Sequence, residues 1–338
     1  MNSDQDKMII TRTPFRISFF GGGTDYPQWF QNHEGSVLST TIDKYCYITC
    51  RQLPPFFEHK HRIVYSKIES VKSIQEITHP SVRACLKYIG GEQGYEIHHD
   101  GDLPARSGLG SSSSFTVGLL NALYGINGKM SSKQFLAKDA IYVEQDLIGE
   151  NVGSQDQVAA AFGGLNKIDF HKNRNFSVNP VILDSARRDE LNEHLMLFFT
   201  GFSRIASTVA DAQIKNIESR HRELSILHSM VDQAISILQD STEPLLSFGH
   251  LLHEAWMLKR SLSEKVSTVE IDEIYQGAIN AGAIGGKLLG AGGGGFLILF
   301  AVPEKQAAIR QALSRLVYVP FRFEDSGSRV ALYQPNGF

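Results

Sequence analysis

Three glycine clusters constrain this chain more than any other feature of its sequence. They are Phe20-Gly21-Gly22-Gly23-Thr24-Asp25, Ser107-Gly108-Leu109-Gly110-Ser111-Ser112-Ser113-Ser114, and Gly285-Gly286-Lys287-Leu288-Leu289-Gly290-Ala291-Gly292-Gly293-Gly294-Gly295. Glycine loses more backbone freedom on folding than any other residue. A run such as Gly290 to Gly295, broken only by Ala291, therefore needs something in return: backbone packed against backbone, or against a ligand. In the middle cluster the glycines permit positive φ and the serines supply hydroxyls. The apolar residues Phe115, Val117, Leu119, Leu120 and Leu123 continue it as a buried helix, stopping at Gly125, whose N-terminus points back at the loop. That is an anion site. No Gly-Lys-Ser/Thr follows at Walker spacing, and Ser113 stands where a dinucleotide fingerprint has its third glycine. Taken alone, the loop also reads as a structural turn with a capping serine.

A chain of 338 residues exceeds what one hydrophobic core ordinarily supports, so two domains are expected, 1–187 and 188–338. Met8 to Ser18 and Tyr45 to Cys50 read as strands, and Ser132 to Ile148 as a helix with Phe135 and Leu147 in its apolar set. Leu195 to Phe199 and Gly295 to Phe300 read as strands. Ile205 to Gln239 reads as one or two long helices, with further helices at Leu245 to Leu262 and Ile271 to Ala281. The three cysteines, an odd number, read as reduced core thiols. The polar start, the absence of a long apolar run and a formal charge of −3 predict a cytoplasmic protein with neither nucleic-acid nor membrane partners. Homo-oligomerisation is left open.

With these segments in hand, the chain resembles the GHMP kinases, named for galactokinase, homoserine kinase, mevalonate kinase and phosphomevalonate kinase. Thr13 to Asp25 looks like their N-terminal motif, Leu103 to Ser114 like their phosphate loop and Lys287 to Phe296 like their C-terminal motif. The resemblance covers essentially the whole chain. It implies an α+β fold in two domains, the first like the second domain of ribosomal protein S5 and the second ferredoxin-like. Galactokinases carry Gly-Glu-His where this chain has Gly21-Gly22-Gly23, so their hexose contacts do not transfer. The Gly-Gly-Gly-Thr-Asp form, with the serine-rich loop and the region of Trp256 to Arg260, is closer to the branch acting on heptose 7-phosphate and fucose. A seven-carbon sugar phosphate is thus the expected acceptor and ATP with Mg²⁺ the expected phosphoryl source.

The resemblance also assigns roles. Asp156 is the catalytic aspartate and Arg16 its accompanying cation; Gly108, Leu109, Gly110, Ser111, Ser112 and Ser113 cradle the ATP phosphates; Ser112 and Glu144 hold Mg²⁺, which favours hard oxygen ligands. Gly22, Gly23, Thr24, Asp25, Gly292 and Gly293 are expected at the sugar. For the acceptor's own phosphate, the hydroxyls of Thr200 and Ser203 and the Arg204 guanidinium converge where a strand leads into a helix. Blander readings exist for each: Asp156 as a helix cap, Glu144 as an exposed helix residue, Thr200 or Ser203 as a cap beside a solvated Arg204. A non-catalytic sugar sensor on the same fold would be marked by loss of Asp156, Arg16 or the serine loop, and this chain retains all three. His250, His253 and Glu254 do not form a zinc motif and read as structural, while His59-Lys60-His61 and His98-His99-Asp100 read as solvated loops.

Overall fold

The computed structural model describes residues 7–91, 93–105, 107–201 and 206–335. Along the first half run β1 (Met8–Phe20), α1 (Pro27–His33), β2 (Gly35–Leu53), β3 (His61–Val64), β4 (Ile68–Val71), α2 (Pro80–Ile89), β5 (Gly94–Gly101), α3 (Ser111–Ile126) and α4 (Lys133–Tyr142). A π-helical turn, Val143–Ile148, extends α4 and leads to α5 (Gln155–Phe162), β6 (Asn166–Phe170), β7 (Phe176–Pro180) and α6 (Ser185–Glu193). The second half comprises β8 (Leu195–Phe199), α7 (Ala206–Lys215), α8 (His221–Gln239), α9 (Leu246–Ser261), α10 (Val269–Asn280), β9 (Gly285–Leu288), β10 (Phe296–Phe300), α11 (Pro303–Ala312), β11 (Val317–Val319), β12 (Phe323–Glu324) and β13 (Arg329–Gln334).

These strands form a nine-stranded sheet with the spine β13-β1-β2-β5-β3-β4, and a four-stranded antiparallel sheet ordered β11-β8-β10-β9. The start of β1 alternates in burial, and from Thr13 onward it is buried on both faces. One face is covered by α3, whose Gly118 carbonyl accepts a hydrogen bond from Thr11 Oγ1. A Cβ at Gly118 would lie 2.8 Å from Thr13 Oγ1, so glycine sets how closely helix and sheet approach. Toward its end β1 meets the second sheet's layer: Phe248 of α9 packs edge-on against Phe19 and Phe20, with ring centroids 5.5 and 5.2 Å apart, and continues to Phe300 of β10. A single apolar core therefore runs from β1 through α9 to β10.

That packing corrects several expectations. A cut at 187 falls inside α6, and the chain's last strands return to the first sheet, β13 on β1 and β12 on β2. Without β13 the outer edge of β1 would present a row of unpaired backbone groups. The expected helix over 132–148 is α4 plus the π-helical turn, and an extra residue per turn rotates the apolar face. Leu147, past the start of that turn, is exposed at 43%, and Phe135, in the first turn of α4, lies on the face away from the buried Leu136, Ala137 and Ala140 and is exposed at 65%. His61 is a buried residue of β3, and His98 and His99 lie on β5 rather than in loops. Cys46, Cys50 and Cys85 are buried and free, as expected.

The Phe248 junction yields the first prediction. Phe248→Ala removes a fully buried ring shared by both sheets and should cost about 3–5 kcal/mol in denaturant unfolding. Phe135→Ala, at an exposed site, should stay within about 0.5 kcal/mol of the parent. Equal effects would contradict the shared core.

Candidate active site

The second and third glycine clusters meet between the two sheets, through contacts that exclude side chains, and Gly22 and Gly23 of the first line the same cleft. Gly108 (φ +86°) lies so near the third cluster that a Cβ would sit 2.4 Å from the Leu289 carbonyl oxygen. One on Gly290 would reach 2.5 Å from Gly108 Cα, and one on Gly295 would reach 2.2 Å from the Ser107 oxygen. Phe296 N–H donates to that same Ser107 carbonyl at 3.0 Å. Gly110, left-handed at φ 73°, starts α3 without a side-chain cap. The N–H groups of a helix's first turn have no partner within the helix, and here they open onto a cleft lined by Ser111, Ser112 and Ser113.

Across from that helix start stands an ion pair. Arg16, on the buried part of β1, donates from Nε to Asp156 Oδ1 and from Nη2 to Asp156 Oδ2, both at 2.8 Å, and from Nη1 to the Gly108 carbonyl at 2.7 Å. The fork fixes the carboxylate plane, as two charge-assisted bonds do. It also ties Asp156, in the first turn of α5, to the phosphate loop. A Cβ on Gly110 would be 3.4 Å from Asp156 Oδ2, so loop and carboxylate are in contact. Asp156 remains a quarter exposed, toward the cleft.

Asp25 is buried beside this pair and accepts from Gly23 N–H at 3.0 Å. Burial, and next the nearby Asp156 charge, raise its carboxyl above the usual range. Gly153 makes room for it, since a Cβ there would lie 1.9 Å from Asp25 Oδ2. Two lysines of the second half also line the cleft, Lys259 of α9 and Lys287 of β9, both nearly inaccessible. Their ammonium groups donate to the backbone carbonyls of Gly290 and Phe19 respectively.

Glu144 lies on the π-helical turn with no accessible surface. Its Oε2 accepts from Ser113 Oγ at 2.8 Å and from Gln157 Nε2, while Oε1 has no partner. Burial lifts its carboxyl to about 7. A buried carboxylate oxygen left unpaired is costly unless a cation or proton meets it. This donor chemistry fits a hard divalent ion such as Mg²⁺. The serine bonded to Glu144 is Ser113; Ser112, the one expected there, is exposed and lines the cleft.

The structure thus brings together Arg16, Gly22, Gly23, Asp25, Gly108, Gly110, the serines and Asp156, all of which border the cleft. Others have different work. Leu109 is a core side chain whose carbonyl accepts the Arg16 N–H. Thr24 is buried, its hydroxyl bound to the backbone of Gly21 and Ser36. Gly292 and Gly293 pack on Val266, whose carbonyl takes the Gly293 N–H, so they shape the loop rather than the sugar site. Thr200 Oγ1 donates to the Gly295 carbonyl and accepts its N–H, which removes it from any phosphate site. Ser203 and Arg204 lie outside the described residues. The sequence reading missed Ser18 and Gln155, which border the cleft with Ser18 Oγ and Gln155 Oε1 unpartnered. Their positions two residues from Arg16 and one from Asp156 were the available signal.

A phosphate cradle, a forked aspartate and an acceptor wall on a two-domain α+β scaffold define a small-molecule phosphotransferase. Residues 76–164 match the family model of the GHMP kinases N terminal domain and 241–319 that of the GHMP kinases C terminal domain. The chain is 30% identical over 321 residues to the D-glycero-alpha-D-manno-heptose 7-phosphate kinase of Campylobacter jejuni, covering 91% of this chain and 94% of that one. It belongs to the GHMP kinase family and is an ATP-dependent kinase. Among solved structures, a D-glycero-D-manno-heptose 1-phosphate kinase from Bacteroides thetaiotaomicron superposes with a TM-score of 0.78 at 23% identity, over 96% and 99% of the two chains. A putative sugar kinase from Campylobacter jejuni gives 0.69 at 26%, over 96% and 98%. No helix among the described residues is long and apolar enough to cross a membrane.

Asp156→Asn keeps the size of the side chain and one acceptor for Arg16 while removing the charge that faces the acceptor. We expect nucleotide affinity and thermal stability near the parent's and a kcat at least about a hundredfold lower. A kcat within about threefold of the parent, some 0.7 kcal/mol in the barrier, would remove Asp156 from the chemistry.

Proposed function

We propose that this kinase transfers the γ-phosphoryl group of ATP to the anomeric hydroxyl of D-glycero-D-manno-heptose 7-phosphate, giving the 1,7-bisphosphate on a route to nucleotide-activated heptose. The observation that carries this reading is the Arg16–Asp156 fork, set between the phosphate loop and a wall with unpaired hydrogen-bonding atoms. A polyol meets that wall well. Ser18 Oγ, Gln155 Oε1 and the Asp25 carboxyl offer partners to sugar hydroxyls, and buried polar atoms in native proteins are rarely left unpaired. The likeness to a heptose 7-phosphate kinase supports the choice of sugar.

In this reading the first turn of α3, with Gly108 and Gly110, cradles the nucleotide phosphates. Asp156 orients the attacking hydroxyl, and Arg16 holds Asp156 in place through its two-bond fork. Asp25 and the Gly22–Gly23 backbone position the sugar. Glu144, with Ser113 beside it and Ser112 at the cleft surface, would hold Mg²⁺, which when bound neutralises phosphate oxygens.

The acceptor is tested by ADP release with heptose 7-phosphate, heptose, fucose, galactose, mannose and mevalonate. We expect kcat/KM for the phosphorylated heptose to exceed the others by at least about a hundredfold. Equal rates on heptose with and without its phosphate would sink the sugar-phosphate reading, and preference for fucose would place the chain with the fucokinases.

Glu144 supplies a separate prediction, with a definite sign. Its folded pKa, about 7, lies above the ordinary 4.5, so the stability of the neutral form is complete below about pH 4.5 and is lost as pH rises through 7. Glu144→Gln should therefore stabilise the nucleotide- and metal-free protein at pH 8, by up to about 3 kcal/mol and visible as a higher melting temperature, and change little at pH 4.5. It should also raise the Mg²⁺ concentration for half-maximal rate at least tenfold. Unchanged Mg²⁺ dependence would exclude Glu144 from the metal site.

A further inference from the structure

Beyond the Arg16–Asp156 fork, the cleft wall holds a buried cation to which the reading above gives no part. Lys259 reaches the cleft from α9 with its side chain almost wholly buried, and its ammonium donates to the Gly290 carbonyl. An ammonium carries three donors and a full charge, and a neutral carbonyl is a poor sole partner for it away from water. The position of that carbonyl is informative. Gly290 packs directly on Gly108 of the phosphate loop, and the Gly108 carbonyl accepts from Arg16, whose other nitrogens hold Asp156. The ammonium therefore stands where phosphate loop and catalytic aspartate adjoin.

We propose that Lys259 is a catalytic cation of the transfer, its ammonium contacting the phosphoryl group as it passes from the phosphate loop toward the acceptor. In that step the acceptor oxygen bonds to the γ-phosphorus while the bond from that phosphorus to the β,γ-bridging oxygen breaks. The acceptor's proton leaves toward the Asp156 carboxylate or solvent, and ADP departs with the bond electrons. Lys259 keeps its own proton throughout and neutralises charge on the phosphoryl oxygens, the largest contribution a protein makes to this chemistry. Of the other cations nearby, Arg16 is held by Asp156 and Gly108 and Arg260 pairs with Asp272 of α10; Lys287, like Lys259, donates to a backbone carbonyl, but to that of Phe19 on β1 rather than that of Gly290, which packs on the phosphate loop. This role does not depend on which sugar accepts the phosphoryl group.

The charges facing Lys259 set a pH signature. Burial and next Arg16 draw its ammonium down to about 8, against Asp25 and Asp156, while Lys287 on β9 is itself drawn well below the usual range by burial and next by Lys259. The residue is charged below that pH and loses its charge above it, so wild-type kcat/KM for ATP should fall on the alkaline side from about pH 8.

The test compares wild type with Lys259→Met, Lys259→Gln and Lys259→Arg across pH 6 to 10, on heptose 7-phosphate and on slow ATP hydrolysis, where water is the acceptor. The second reaction keeps the test valid if the sugar assignment fails. We expect Lys259→Met and Lys259→Gln to lose kcat by about 10²–10³-fold in both reactions, with KM for ATP within about threefold. Lys259→Arg should retain more activity and lack the alkaline fall, because a guanidinium does not deprotonate there. Recovery in Lys259→Gln, which can still donate to Gly290 without charge, would assign Lys259 to holding the loop and overturn the proposal. So would a Lys259→Met kcat within threefold of wild type, an alkaline limb unchanged in Lys259→Arg, or a loss confined to the phosphorylated sugar.

Discussion

Backbone packed on backbone, too close for any Cβ, is the constraint on which the rest of this molecule depends. The phosphate loop is not held by its own turn. It is clamped between the tip of the β9–β10 hairpin, through Leu289, Gly290 and Gly295, and the Arg16 side chain on β1. The hairpin's register is fixed in turn by β8, which pairs with β10 along its length and is followed by Thr200, itself hydrogen-bonded to Gly295. The loop proposed to cradle phosphate is therefore positioned by both sheets at once. An active site shared in this way ties the two halves of the chain together, consistent with a core that runs from Phe19 and Phe20 through Phe248 to Phe300.

The site also stores unmet interactions. Among the described residues, Glu144 Oε1, Gln155 Oε1, Gln157 Oε1 and Ser18 Oγ are buried without partners, and the hydrogen bonds of the buried Lys259 and Lys287 go to carbonyl oxygens. Each lowers the stability of the empty protein, because a buried polar group without a partner forgoes what water would have given it. Such groups concentrate at functional sites, where a ligand supplies the missing half of each interaction. With a formal net charge of −3, the chain as a whole offers no attraction for anions. In the proposed reading, binding of phosphate comes from this local arrangement of helix start, arginine and lysines, whose worth is greater for being out of water.

How much of this was legible follows from what kind of signal each part leaves. A glycine that admits close approach is a property of the sequence, so the three clusters announced themselves. Arg16, Asp25 and Asp156 were found because each lies within or beside a recognisable motif. Long-range geometry was less visible. Nothing in the local pattern tells that Arg329 to Gln334 returns to β1, since an edge strand reads the same whichever edge it covers. The π-helical turn defeated the helical period: from Val143 the face is rotated, which exposes Leu147 and turns Glu144 inward. Thr200 looked like a helix-start hydroxyl, and only the tertiary contact with Gly295 reveals that its bonds are already made.

The division of labour within the cleft has a further structural logic. The groups proposed to act on phosphate come from β1, α3, α5 and the hairpin tip. The side proposed for the acceptor is bordered by α7, whose Ala210 and Gln213 line the cleft. That helix is attached by side chains: Gln213 Nε2 donates to the Ala291 carbonyl, Asn216 Nδ2 to the Leu262 carbonyl at 2.9 Å, and Asp211 accepts from Asn151 at 2.7 Å. Side-chain anchors tolerate substitution far better than glycine-on-glycine contacts, which admit only one residue type. A fold built in this way keeps its phosphoryl-transfer machinery fixed while its acceptor wall is free to change, and one scaffold can then serve sugars and other alcohols alike. The Asn151–Asp211 and Gln213–Ala291 links join that wall to the segment leading into α5, which carries Asp156, and to the loop beside Lys259.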